Sequence, residues 1–203
     1  MKVTIITACY NRERTIRGCI ERILAQDYPD IEYIVVDGAS TDGSLSVIQE
    51  YKERIAKIIS EPDKGMYEAI NKGLRAATGE VVGLVHSDDF LFSPHTVSHI
   101  VERFRETHAD FLYGDGLFVD ADRTDKVVRN WIGGEYRLWK VRHGWLPLHP
   151  TSLRREVMER KGLYNESYKI AADSDFLFRY LLGGELSVTY LCMGIYWRMR
   201  MGD

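Results

Sequence analysis

An α/β fold is what this sequence predicts: a Rossmann-like, mostly parallel central sheet flanked by helices, followed by a smaller mixed part. Three observations carry that expectation. Apolar, β-branched runs alternate with amphipathic segments of helix length as far as Asp110, the pattern of βαβ units covered on both faces. Acidic and polar residues collect where the apolar runs end. The chain has 203 residues, 45% of them hydrophobic and 28% charged, which suits a single domain with a sizeable core.

The elements follow in order. Lys2–Thr7 is a first strand, and Arg14–Leu24 places Ile16, Cys19, Ile20, Ile23 and Leu24 on one helical stripe. Ile31–Val36 is a second strand ending at Asp37-Gly38. Thr41 or Asp42 can cap a helix over Ser44–Arg54, with Val47, Ile48 and Tyr51 inward. Ile55–Ile59 is a third strand, Glu61 to Gly65 a turn, and Tyr67–Ala76 a helix stopped near Gly79. Glu80–Val85 is a fourth strand running into Ser87-Asp88-Asp89, and Ser93-Pro94 opens a helix to about Glu106. Beyond Asp110 the pattern loosens. Asp110–Val119 and Lys126–Trp131 read as a hairpin, Arg154–Arg160 and Asp173–Leu182 as helices, and Leu186–Trp197 as extended. The chain stops at Asp203 without a closing element, which fits the catalytic part of a longer protein.

Composition narrows the function classes. A formal net charge of -3 with no clustered basic stretch argues against a nucleic-acid partner. The longest apolar runs, such as Val81 to Val85, fall far short of the roughly 20 residues that span a bilayer. The N-terminus reads as a strand rather than a signal peptide. Cys9, Cys19 and Cys192 are odd in number and form no CxxC pair, so they read as free core thiols of a reducing cytoplasm.

Ligands of open parallel sheets bind beyond the carboxyl ends of the strands. Four successive ends here carry polar groups: Thr7 to Asn11, Asp37 to Asp42, Asp63 to Gly65, and Ser87 to Asp89. Any one of them reads as turn or cap chemistry. Taken together they do not, because adjacent buried carboxylates repel unless a cation compensates them. Asp88-Asp89 is therefore a candidate site for Mg²⁺ or Mn²⁺, hard cations that accept one or two carboxylates together with substrate phosphates. Neither a P-loop nor a G-x-G-x-x-G fingerprint is present.

The segments Val3 to Asn11, Val35 to Ser44, Glu61 to Gly73, Ala77 to Glu80 and Ser87 to Asp89 resemble, in order and spacing, the family 2 glycosyltransferases. Weaker matches continue through His149-Pro150-Thr151 and Ala172 to Asp175. The resemblance implies the GT-A fold and an inverting transfer of a sugar from a nucleotide diphosphate, a UDP-sugar foremost. The acceptor would be a carbohydrate or a lipid-linked saccharide, in surface polysaccharide or lipopolysaccharide assembly. Residues 1–119 would form the nucleotide-sugar-binding part and 120–203 the acceptor side of one catalytic domain, at work in the cytoplasm or at the inner membrane face.

Carried over residue by residue, the resemblance implies that Thr7, Ala8 and Tyr10 line the nucleobase pocket and that Asp37 binds the base or ribose. Asp63 and Lys64 would hold the nucleotide, Asp88 the ribose or sugar, and Asp89, at the DxD position, the metal. Asp173 matches the catalytic base. Ala172 replaces the glutamate usual before it, so Asp175 stays open as the alternative. No Gln-x-x-Arg-Trp motif is present, which argues against a processive polysaccharide synthase.

Other residues read more plainly. His95 and His99 lack a third ligand and read as solvated helix histidines. His149 suits a diphosphate or acceptor contact as well as a structural turn. Trp131, Tyr136, Trp139 and Trp145 read as core rather than as a sugar platform. Two other functions compete: a nucleotidyltransferase, which would release pyrophosphate, and an inactive nucleotide-sugar-binding module. The sequence leaves the oligomeric state open.

Overall fold

The computed structural model describes residues 1–147 and 151–201, without the side chains of 192–196. One nine-stranded sheet runs through the chain in the order β3-β2-β1-β4-β8-β6-β9-β5, with β7 paired to β6. Its first half is parallel: β1 (Val3–Cys9) lies between β2 (Ile31–Asp37) and β4 (Val81–Leu84), and β3 (Lys57–Ser60) forms the edge. The remainder is mixed. β8 (Ser152–Arg154) runs antiparallel to both β4 and β6 (Phe111–Asp120), while β9 (Val188–Met201) runs parallel to β6. The two-residue β5 (Phe90–Leu91) closes on β9, and β7 (Val127–Trp131) forms the expected hairpin with β6. Both parts of the chain thus share one sheet.

Strand parity sorts the core. Successive side chains of a strand point to opposite faces. In β1, Val3, Ile5 and Cys9 pack with α1 (Ile16–Leu24), α2 (Ser44–Glu50) and α4 (Thr96–Thr107), whereas Ile6 packs with α3 (Met66–Ala76) and α7 (Ala172–Leu181). The α1 stripe is buried at Ile16, Cys19, Ile20 and Ile23. Helix α3 approaches β1 closely because Gly73 has no Cβ; one built there would stand 2.4 Å from Ile6 Cγ2. α6 (Arg155–Lys161) completes that face.

The short α5 (Leu138–Arg142) buries only Val141. Trp139, two positions earlier and hence on the other side of the helix, is 61% exposed, which corrects its reading as core. Trp145 does pack, edge-on to Tyr113 at 5.7 Å, and the Tyr136 hydroxyl donates to the Leu181 carbonyl.

β9 matters most for function, since it carries Met199 and Arg200 from the far end of the chain to the C-terminal edge of β4. Its position depends on Gly116 of β6, where a Cβ would meet Trp197 Cζ2 at 2.3 Å. Trp197 is fully buried and cannot yield. Gly116→Ala is therefore expected to lower stability by about 1–3 kcal/mol, the usual range for overpacking, read as a drop in the urea midpoint. An unchanged midpoint would refute this account of the β6–β9 contact.

Candidate active site

A cavity of about 480 Å³ opens at the carboxyl ends of β1 and β4. Its walls come from four places: Ala8 to Arg12 after β1, Asp63 to Ala69 at the start of α3, His86 to Asp89 after β4, and Met199-Arg200 of β9. β1 and β4 are neighbours in the sheet, so the loops that follow them converge. A polar recess of about 590 Å³ adjoins it and shares Arg12, Asp88 and Arg200.

Ala8, Tyr10, Asp63, Asp88 and Asp89 line the cavity, as the sequence led one to expect. Tyr10 is 57% exposed at the mouth. Asp89 is 2% exposed, and its Oδ1 accepts one long hydrogen bond, 3.3 Å from the Arg200 backbone N–H. Burial, reinforced by the neighbouring Asp88 charge, pushes its carboxyl well above the usual carboxylate range. A buried carboxylate with so few donors, beside a second carboxylate, is an all-oxygen site that fits a hard cation.

Asp37 sits at the end of β2 but does not line the cavity. It is fully buried and accepts hydrogen bonds from Ser40 Oγ at 2.5 Å, Ser60 Oγ at 2.7 Å and the Ser40 N–H. Its link to the cavity is Gly38, where a Cβ would stand 2.4 Å from Asp63 Oδ2, so Asp63 lies over the end of β2. Lys64 is exposed beside the cavity; its backbone N–H donates to Glu68 Oε2.

Thr7 corrects the sequence-based expectation. Strand parity puts it on the α1 side with Ile5 and Cys9, where it is fully buried, accepts from the Tyr33 hydroxyl at 3.2 Å and contacts Cys19 Sγ. Its side chain reaches no part of the cavity. His149 lies outside the described residues.

The two candidate bases diverge. Asp175 Oδ2 is bound by Arg179 Nε at 2.9 Å one turn along α7, and Arg179 in turn donates to the Lys161 and Leu163 carbonyls. Asp173, in the first turn of α7, instead accepts from the Tyr67 hydroxyl at 3.4 Å, next to the cavity wall at Gly65-Met66.

Sequence reasoning missed His86 and Arg200. The His86 ring has no hydrogen-bond partner among the described residues; burial lowers its pKa, while Asp88 and Asp173 act against that shift. It therefore lies within electrostatic reach of both the acidic pair and the candidate base. Arg200 donates through Nε to the Asp88 carbonyl at 2.9 Å and through a terminal nitrogen to the Ala121 carbonyl at 3.0 Å, which places a fixed cation beside the acidic pair. The spacing of Ser87-Asp88-Asp89 hinted at His86; nothing local pointed to Arg200.

The Cys9 and Cys19 thiols are inert, and the Cys192 side chain lies outside the described residues. Burial pushes Cys9 and Cys19 up to about 12, so neither is a thiolate near neutral pH. His95 pairs with Asp27 on the surface, and among the described residues no three His, Cys, Asp or Glu side chains form a metal cage.

Comparison with known proteins bears on this site. The model of the family described as "Glycosyl transferase family 2" matches residues 4–168. An uncharacterized glycosyltransferase of Nostoc sp. is 36% identical over 174 residues, 79% of this chain and 53% of its own length. A PGL/p-HBAD biosynthesis glycosyltransferase of Mycobacterium bovis is 27% identical over 193 residues, 93% of this chain and 73% of its own. The chain thus spans about half of the Nostoc relative.

Among solved structures, S. aureus TarS 1-349 in complex with UDP-GlcNAc superposes with a TM-score of 0.82 at 22% identity, covering 100% of this chain and 59% of that one. The mannosyltransferase PcManGT from Pyrobaculum calidifontis, in complex with GDP-Man and Mn2+, superposes with a TM-score of 0.72 at 23% identity, covering 96% of this chain and 56% of that one. These likenesses establish the GT-A fold, and the family match covers most of the chain. The chain belongs to the family 2 glycosyl transferases.

Proposed function

We propose that this chain is the catalytic domain of an inverting glycosyltransferase, moving a sugar from a nucleotide diphosphate donor to an acceptor hydroxyl. One observation carries the reading: the cavity holds an acidic pair beside a fixed cation, and the Asp173 carboxylate, bound by the Tyr67 hydroxyl, stands next to its wall at Gly65-Met66. The first suits a leaving diphosphate and the second suits a nucleophile that must lose a proton.

Ala8, Tyr10 and Met66 would bound the nucleobase, with Asp63 at the ribose over the end of β2, where Asp37 fixes the turn. Asp37 acts through Ser40 and Ser60 in this reading, and Lys64 would reach the nucleotide from beside the cavity. Asp88 would hold the ribose or the transferred sugar. Asp89 would hold Mn²⁺ or Mg²⁺, which, when bound, offsets charge on the departing diphosphate. The described residues offer that ion one or two carboxylates, and the donor phosphates would provide further ligands.

Arg200 adds a positive charge where the leaving group gains negative charge, held in place by two carbonyls. Asp173 takes the acceptor proton as attack on the anomeric carbon develops. With the base opposite the leaving group, a single displacement inverts the anomeric centre.

The donor would be a UDP-sugar, since the TarS structure contains UDP-GlcNAc, and the acceptor a carbohydrate or lipid-linked saccharide. No helix among the described residues is long and apolar enough to cross a membrane. A lipid-linked acceptor would be met at the inner membrane face in this reading.

Thermal-shift titration with UDP-, GDP- and dTDP-sugars, with and without Mn²⁺ or Mg²⁺, tests the donor class. One nucleotide sugar is expected to raise the melting temperature selectively and only with metal. Product analysis then separates chemistries: free nucleoside diphosphate supports sugar transfer, whereas pyrophosphate establishes nucleotidyl transfer instead. Donor binding without turnover over a broad acceptor panel would leave a binding module.

A further inference from the structure

Tyr67 has no role in the proposed transfer, although its hydroxyl ties α3 to the Asp173 carboxylate. It is the second residue of α3, immediately after the cavity residues Gly65 and Met66, and only 6% exposed. Its ring stacks on Tyr164 at 5.7 Å, and Tyr164 stacks on Phe176 of α7 at 4.2 Å. Phe176 continues the column to Tyr180 at 4.0 Å.

Asn71, one turn further along α3, donates to the Tyr164 carbonyl at 2.9 Å and accepts from the Tyr164 N–H at 3.0 Å. α3 therefore grips the segment that leads into α7. The Tyr67 hydroxyl remains a donor, because burial and the Asp173 charge both raise its pKa.

The start of α7 needs such a grip. Ala171, its N-cap, has φ 65° and ψ 20°, a left-handed conformation costing an alanine roughly 1–2 kcal/mol, and the helix has no side-chain cap. Such strain persists only where the surroundings over-determine it. Asp173 sits two residues beyond this strained corner, and its Oδ2 has no partner among the described residues.

We propose that Tyr67 is the positioning residue of the catalytic base: its hydroxyl occupies Asp173 Oδ1 and turns Oδ2 toward the acceptor hydroxyl. Because α3 begins at the donor cavity, the same contact sets the base at a fixed offset from the bound donor. The inference rests on Asp173 being the base.

A double-mutant cycle on the same chain tests it, with Tyr67→Phe, Asp173→Asn and the double variant. Tyr67→Phe keeps the ring stack, so its melting temperature and its affinity for UDP with Mn²⁺ are expected to stay near wild type. Its kcat is expected to fall about ten- to a hundredfold at an almost unchanged donor KM. In the Asp173→Asn background the same change is expected to cost less than twofold, because its effect on turnover runs through that carboxylate.

An equal loss of kcat in both backgrounds overturns the proposal, as does an unchanged kcat or a parallel loss of UDP affinity. If Tyr67→Phe folds poorly, Tyr67→His, which keeps a donor on a smaller ring, should retain more kcat per folded molecule than Phe; equal values overturn it too. Near-normal turnover by Asp173→Asn alone would instead sink the base assignment, whatever Tyr67 does.

Discussion

Asp173→Asn is expected to lower kcat by about 10²–10⁴-fold while leaving nucleotide affinity within about twofold, the usual span for loss of a general base. Asparagine keeps the shape of aspartate and can still accept a hydrogen bond from Tyr67. It cannot take a proton from the acceptor hydroxyl. The proposed donor contacts Asp63, Asp88 and Asp89 line the cavity, whereas Asp173 is not among its lining residues, so binding survives.

Asp175→Asn is the matched control. It releases Arg179, an ion pair with a quarter to a third of each side chain exposed, and is expected to act mainly on stability, by up to about 1 kcal/mol. Single-turnover rates and UDP titration for both variants decide the matter. Normal turnover by Asp173→Asn with an inactive, well-folded Asp175→Asn would reverse the assignment.

Asp89→Asn should have the second largest effect, in two opposite directions. Turnover is expected to fall about 10²–10³-fold, because the carboxylate that offers the strongest hold on a cation is lost. The ligand-free fold should nonetheless become more stable. Burial raises the Asp89 carboxyl above its ordinary value, so its ionisation opposes folding. With the folded value above the unfolded one, stability is greatest below the unfolded pKa and is lost as pH rises from there. The melting-temperature advantage of asparagine in EDTA should therefore be absent near pH 3 and grow above about pH 4. Mn²⁺ with UDP should raise the melting temperature of the wild type and not that of the variant. A variant that loses ligand-free stability yet keeps the Mn²⁺ response would refute a metal role for this carboxylate.

The GT-A half of the fold was legible because its signals are local. β1, β2 and β4 are apolar runs buried on both faces, and α1 and α3 repeat apolar residues at helical spacing, so period alone marks them. The acidic loops follow from chain order, since each directly succeeds a strand of the parallel half. Helix α4 begins two residues after the expected Ser93-Pro94 opening, where Ser93 still binds the His95 N–H. Strand parity, also a local property, places Thr7 in the core; counting two residues on from Ile5 would have shown it.

What the amino-acid order by itself determined is the parallel βαβ half and the loops that carry Asp63, Asp88 and Asp89 to one edge, because period and adjacency are properties of neighbouring residues. Only the tertiary structure decided the rest. β5 and β8 are two and three residues long, too short to show a period, and exist because β9, β4 and β6 pair with them. Ser60 reaches Asp37 from another strand, Arg200 reaches Asp88 across 112 residues, and Tyr67 reaches Asp173 across 106. Such contacts leave no local trace, since their free energy appears only when distant segments share the same dry space.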